Sequence, residues 1–224
     1  MRVEVPSELA KLGQRPYVQG GTIFNGILAV CDGALGGEWL EGTVISSFKL
    51  EREAVANGRI IVSDTAEDGL DPNATFVARR PAAPLYGYFI DDGREAPRIA
   101  YDEGSYYRVL EVGSKLDGRF AFDGGRARED FMRGIVGANK LLHQKTDRFG
   151  CELAHIQFLY LRGLDAICLR RVSEDYEVTI ANATVQDRGS EVWSINRVDV
   201  RGKSFSTEFR ICYRAQRPAP AGAA

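Results

Sequence analysis

One stretch, Gly124 to Thr146 (GGRAREDFMRGIVGANKLLHQKT), limits what this chain can fold into. Phe131, Ile135, Ala138 and Leu142 fall at spacings of four, three and four, which is one face of a helix. Met132, Val136 and Leu141 widen that face. Gly124 and Gly125 break the preceding strand, and Asp147 and Gly150 stand where the pattern stops. Two other segments have helical character. One is Pro6 to Leu12, capped by Ser7. The other runs from Ile23 to about Leu35, capped by Thr22 and ended by Gly36-Gly37. The second is apolar nearly all round, so it is expected to be buried. One long helix among many strands is an α+β balance.

The remainder has strand patterning. Val44, Ser46, Phe48 and Leu50 share one side of a strand within Trp39 to Glu53. Asn57-Gly58 is a hairpin signal leading into Arg59 to Val62. A polar loop, Asp64 to Asn73, precedes strands at Ala74 to Arg80 and Leu85 to Ile90, and Asp91-Asp92-Gly93 turns the chain. Ile99 to Gly104 connects two halves. Tyr106 to Phe122 is a strand region with a turn near Asp117-Gly118. After the long helix, strands are expected at Ala154 to Leu161, Ala166 to Arg171, Tyr176 to Gln186, Glu191 to Val200 and Ser204 to Tyr213. In the fourth of these, Val192, Ser194, Asn196 and Val198 alternate with Trp193, Ile195, Arg197 and Asp199.

Each half therefore runs from an extended lead-in through a helix to several antiparallel strands. That is the order of the hotdog fold, in which a curved antiparallel sheet buries one face against a central helix. The expected architecture is a double hotdog, antiparallel sheets each wrapping a central helix and joined edge to edge. Its halves are residues 1–104 and 105–214, with a Pro/Ala-rich disordered tail at 215–224.

The bulk properties narrow the function. The net charge is −2 and no basic stripe is present, so a nucleic-acid partner is not expected. No apolar run spans a bilayer, and the first fifteen residues lack a secretory apolar region, so neither membrane association nor export is expected. Cys31, Cys151, Cys168 and Cys212 are scattered without metal-ligand spacing, which fits reduced buried thiols in a cytoplasmic protein without metal. Nucleophile elbows and phosphate-binding glycine loops are absent from the sequence.

Tyr17 to Cys31 (YVQGGTIFNGILAVC) resembles the helix approach of the FcoT-type long-chain acyl-CoA thioesterases, with Tyr17, Phe24 and Asn25 at the matching positions. Arg15-Pro16, Gly20-Gly21 and Ile23-Phe24, followed by Ser46-Ser47-Phe48-Lys49, are similar to the double-hotdog acyltransferase/decarboxylases of polyketide pathways. Each resemblance covers under a quarter of the chain. Both imply acyl thioesters carried on coenzyme A or on the phosphopantetheine of an acyl carrier protein, with no other cofactor. The dehydratase His…Phe-Pro motif and the hydratase Asp-x4-His pair are missing. A monomer or a homodimer is compatible with this organisation.

Several residues are candidates for chemistry. His143 and His155 lie in regions a hotdog makes neighbours, with Asp147 and Glu152 as nearby acids, a set suited to dehydration or hydration. The competing view is a helix-end histidine favoured by the dipole and a histidine on a polar strand face. Tyr17 and Asn25 could polarise a thioester carbonyl, and Gln19, Gly20 and Gly21 would bring substrate against helix N-terminal amides, as thioester hydrolysis needs. Against this stand a buried aromatic and a cap. Asp32, inside an apolar segment, is either a base of raised pKa or an exposed helix end. Arg79-Arg80 and Arg170-Arg171 are either contacts for a coenzyme A phosphate or solvated strand ends. The leading expectation is a dehydratase- or hydratase-like enzyme, because His143 and His155 cluster around the long helix; an acyl thioesterase and a non-catalytic acyl-binding protein are the alternatives.

Overall fold

The computed structural model describes residues 1–125, 127–145 and 153–217. The first half contains β1 (Arg2–Pro6), β2 (Lys11–Leu12), α1 (Gly20–Leu35), β3 (Val44–Leu50), β4 (Asn57–Ser63), β5 (Ala74–Arg79), β6 (Leu85–Arg94) and β7 (Arg98–Ile99). A 3-10 turn, Glu103–Tyr106, leads to β8 (Arg108–Val112), β9 (Gly118–Phe122) and α2 (Arg128–Lys145). Then follow β10 (Ala154–Arg162), β11 (Leu164–Asp165), α3 (Cys168–Arg171), β12 (Tyr176–Asp187), β13 (Glu191–Gly202) and β14 (Ser206–Gln216).

The two half-sheets, expected to join edge to edge, form one continuous 12-stranded sheet in the order β1-β4-β6-β5-β3-β10-β14-β13-β12-β9-β8, with β11 added on β3. The halves fuse where β10 pairs antiparallel with β3, Tyr160 opposite Lys49 and Leu161 opposite Phe48. A separate parallel pair, β2 with β7, fastens the interhalf segment to the N-terminal region. Both helices lie on the same face. Phe24 of α1 packs edge-on to Phe48 (centroids 5.4 Å), Phe48 stacks on Phe158 (5.8 Å), and Phe158 meets Tyr213 beside His143 of α2.

The halves differ in strand order. In the second, β12, β13 and β14 form a meander. In the first, β6 lies between β4 and β5, so residues 64–73 carry the chain across the end of β6. Asn57-Gly58 is accordingly the start of β4 and not a hairpin turn. Its Asn57 carboxamide oxygen accepts from the Leu9 amide at 2.6 Å and the Ser7 hydroxyl at 3.2 Å, which holds the N-terminal segment on the sheet. That segment is extended where a helix was expected over Pro6 to Leu12, because backbone pairing of β1 with β4 competes successfully with a short isolated helix. Ala166 to Arg171, expected as a strand, contains the single turn α3. Leu164 and Asp165 take the strand role beside β3. The tail begins later than expected, since Ala215 and Gln216 pair with Val192 and Glu191; residues 218–224 lie outside the described residues.

α2 buries Phe131, Met132, Ile135, Ala138 and Leu142 against the sheet. β13 answers with Val192, Ser194, Asn196, Val198 and Val200 inward, while Trp193, Ile195, Arg197 and Asp199 face out. The two inward polar residues meet polar partners on the helix. Asn196 Nδ2 donates to Asn139 Oδ1 at 2.6 Å, and Ser194 faces His143. Phe131 is 1% exposed, with ring neighbours Tyr176 and Phe209 at 5.8 and 6.4 Å. Phe131→Ala should lower unfolding free energy by about 3–5 kcal/mol, measured as a reduced urea midpoint at unchanged slope.

Candidate functional site

The seam between the halves opens into three connected recesses, and Tyr17 lines all three. The outermost, about 840 Å³, lies between residues 12–17, residues 101–104 and the Lys140 and His155 side chains. The second is a narrow slot of about 20 Å³ where Gly20 and Gly21 of α1 face Val136 and Lys140 of α2 and Phe158 of β10. The third, about 240 Å³, is bounded by Glu53, His155, Gln157 and Arg214.

The slot exists because α1 begins abruptly. The spacing placed its start at Ile23, with Thr22 as cap. In the fold, Gln19 occupies the N-cap position with extended backbone and no side-chain cap, so the helix starts at Gly20. The Gln19 carbonyl accepts from Thr22 and Ile23 N–H at 2.9 and 3.0 Å. The Gly20 and Gly21 amides belong to the first turn, which has no intrahelical acceptor. A Cβ on Gly20 would lie 2.8 Å from Leu50 and 3.0 Å from Phe158, so the helix end fits against the sheet only without a side chain there. Nothing lies within 4 Å of a Cβ built on Gly21, leaving that face of the turn open.

A charged cluster closes one side. Lys140 Nζ donates to Glu103 Oε1 at 2.8 Å, and Arg15 Nη2 reaches the same oxygen at 2.5 Å. With Gln19 oriented to satisfy both partners, its side-chain oxygen accepts from Arg15, the Nε contact being 3.0 Å. Lys140 is only 9% exposed at its side chain. Burial lowers its pKa, and the Glu103 carboxylate opposes that shift. An ammonium has three donors, so two remain toward the slot after the bond to Glu103. Burial also raises the Tyr17 hydroxyl above its usual range, keeping it a neutral donor. The Tyr101 hydroxyl is buried without a hydrogen-bond partner in the wall of the outer cleft.

Of the residues singled out in the sequence, Tyr17, Gln19, Gly20, Gly21 and His155 meet here. His155 is an exposed residue at an irregularity in β10, with φ of 46°. The left-handed conformation is costly for a non-glycine residue, and it directs this side chain to the rim shared by the outer cleft and the third recess.

The other three candidates lie elsewhere. Asn25 donates to the Glu129 carbonyl at 2.8 Å, tying α1 to α2. Asp32 accepts from Trp39 Nε1 at 2.6 Å and pairs with Arg128 at 2.5 Å near the far end of α1. His143 is 2% exposed, with Nδ1 2.8 Å from the Asn139 carbonyl and Nε2 2.7 Å from Ser194 Oγ. The two histidines are therefore separated, one in the core and one at the rim. Asp147 and Glu152 lie outside the described residues, as do Cys151 and Gly150. Arg170 pairs with Glu41 and Arg80 donates to the Ala83 carbonyl, both away from the cleft. Cys31, Cys168 and Cys212 are buried and free, and burial pushes the Cys31 thiol up to about 12. No three potential metal ligands group together among the described residues.

Lys140 and Glu103 had not been singled out, and Arg15 entered only as part of the Arg15-Pro16 resemblance. Lys140 carried a signal, since it continues the row of Met132 and Val136 at four-residue steps, where a charge interrupts an apolar face. Glu103 gave none, because only the chain crossover brings it to α2.

No protein-family model matches the sequence, and no curated protein does. Solved structures do match. A conserved protein of unknown function with hot dog fold from Alicyclobacillus acidocaldarius superposes with a TM-score of 0.54 at 7% identity, covering 98% of this chain and 94% of that one. The chain has the hotdog fold. The dehydratase domain of PpsC from Mycobacterium tuberculosis, solved with C12:1-CoA, gives 0.54 at 9% identity over 97% and 94% of the two chains. A tesB protein of Mycobacterium avium subs paratuberculosis gives 0.53 at 11% identity over 97% and 93%. In this hotdog chain, no helix among the described residues is long and apolar enough to cross a membrane.

His143 generates a pH prediction. Burial lowers its pKa from 6.5 to about 4, so the folded protein holds it neutral while the unfolded chain takes up a proton below pH 6.5. Stability should fall by up to about 3 kcal/mol as pH drops from 6.5 toward about 4. His143→Gln should flatten that part of a urea-midpoint profile.

Proposed function

We infer that this chain is a double hotdog that processes acyl thioesters, with the thioester carbonyl seated on the Gly20 and Gly21 amides. The observation that carries this is the slot itself. A helix N-terminus free of side chains faces a buried ammonium, so two kinds of positive group converge where a carbonyl oxygen gains negative charge. The 840 Å³ outer cleft, with its polar walls, suits the pantetheine arm of coenzyme A or of an acyl carrier protein. The likeness to a dehydratase domain solved with an acyl-CoA adds support at the level of substrate class.

The reaction these groups serve best is hydrolysis. His155 takes a proton from water, and the water oxygen adds to the thioester carbon. The oxyanion rests on the Gly20 and Gly21 amides near the Lys140 ammonium, with the neutral Tyr17 hydroxyl as a further donor. Collapse breaks the carbon–sulfur bond, and His155 returns its proton to the departing thiolate. The products are a free acid and a thiol. Dehydration is the second reading, favoured by Glu53 sharing the third recess with His155. It needs a carboxylic acid that holds a proton. Glu103 is already engaged by Lys140 and Arg15, and Glu53 is exposed to solvent.

Incubation with saturated, enoyl and 3-hydroxyacyl thioesters, followed by intact-mass analysis, separates the readings. Release of free acid supports hydrolysis. Loss or gain of water supports the dehydratase reading. Binding without turnover identifies a non-catalytic acyl-binding protein. Lys140→Met should reduce kcat by about 100-fold or more, as loss of an oxyanion donor does, with little change in urea midpoint. Tyr17→Phe should cost less, and His155→Ala should lower kcat by about 100-fold or more, as loss of a general base does.

A further inference from the structure

If thioesters bind as inferred above, the space beyond the reacting carbonyl decides which acyl groups enter. That space is small. The slot past Gly20 and Gly21 holds about 20 Å³, room for roughly one water-sized group. A longer chain would have to continue between the helices toward the sheet, and that route is filled. Phe158 forms the slot's inner wall, stacks on Phe48 with rings 10° from parallel, and meets Tyr213 at 5.8 Å. Phe48 in turn abuts Phe24 of α1 at 5.4 Å. Phe24, Phe48 and Tyr213 are fully buried and Phe158 is 3% exposed, so the plug is continuous with the core. Leu50 packs against Gly20 beside the slot, 2.8 Å from where a Cβ on Gly20 would lie. The outer cleft offers an alkyl chain no fully apolar path, since Arg15, Asp102, Glu103, Lys140 and His155 line it beside Leu12, Leu153 and Ile156. An alkyl chain laid there would strip water from charged groups without replacing their hydrogen bonds.

We propose that the aromatic plug headed by Phe158, with Leu50 packed behind Gly20, restricts this site to thioesters of short acyl groups, the acetyl group being the best fit to a slot with room for about one water-sized group. The carrier arm occupies the polar outer cleft, and the acyl group alone enters the slot. Phe158 and Leu50 determine chain length by volume, and they take no part in bond making or breaking.

The test is a chain-length series of acetyl-, butyryl-, octanoyl- and dodecanoyl-CoA, followed by free thiol release and by intact mass. The intact protein should show kcat/KM for the butyryl ester at least about tenfold above that for the dodecanoyl ester, because a closed pocket discriminates by roughly that factor per excess methylene at its limit. Phe158→Ala should raise relative activity toward octanoyl-CoA. Leu50→Ala, which leaves the aromatic stack whole, should do the same independently. Equal use of butyryl and dodecanoyl esters by the unaltered protein would overturn the proposal while leaving acyl-thioester processing intact. An unchanged length preference in a folded Leu50→Ala or Phe158→Ala protein would overturn the assignment of these residues. Failure to bind or turn over an ester of any length would remove the functional reading itself, and the length limit with it.

Discussion

The pairing of β3 with β10 is the contact on which the molecule depends. Four residue pairs, Lys49 with Tyr160 and Phe48 with Leu161 on β10, and Ile45 with Leu164 and Val44 with Asp165 on β11, turn two half-sheets into one surface. Each half-sheet would otherwise present an unpaired edge at this point. Because the register sets Phe48 and Leu161 on the same face, both helices must cover that face side by side. The stack of Phe24, Phe48, Phe158 and Tyr213 then runs from the first half into the second without interruption. The start of α1 is thereby delivered to the flank of α2, and the candidate site is a consequence of that delivery.

The electrostatics of the site follow from the same geometry. Lys140 is held in a nearly dry position by the helix that also builds the core. A lysine there would tend to lose its proton. Glu103, from the segment connecting the halves, restores the balance and holds Arg15 as well. One carboxylate shared by two cations leaves one positive charge in excess within the Arg15, Glu103 and Lys140 cluster. His155 contributes from the rim, on a distorted stretch of β10 where backbone strain sets the side chain's direction. His143, four helix positions from Asn139, uses its two nitrogens to satisfy the core instead.

The pattern of apolar residues made the fold legible. The face of α2, the alternation along β13 and the apolar run of α1 all appear in the structure as the periodicity required. The misassignments were local. Pro6 to Leu12 and Asn57-Gly58 carry short-range helix and turn signals, and both were overruled by pairing of β1 and β6 with β4. The crossover that places β6 between β4 and β5 leaves no mark in the sequence, because a polar loop looks the same whether it closes a hairpin or passes over a strand. Of the site, Tyr17, Gln19, Gly20 and Gly21 could be found because they fall within five residues of one another in a stretch that resembles a known helix approach.

The sequence by itself determined which segments are amphipathic, which faces they bury and that a glycine pair stands at the start of the first helical segment, because these depend on spacing along the chain. Only the tertiary structure decided which polar residues belong to one another. Arg15, Glu103 and Lys140 stand far apart in sequence and meet at a single carboxylate oxygen. His143 and His155 are close in sequence and yet serve the core and the cleft separately. The physical reason is that hydrophobic periodicity is a short-range property read one element at a time. Charge pairing, burial of an ammonium and the volume left beside a helix end depend on which elements the sheet brings together.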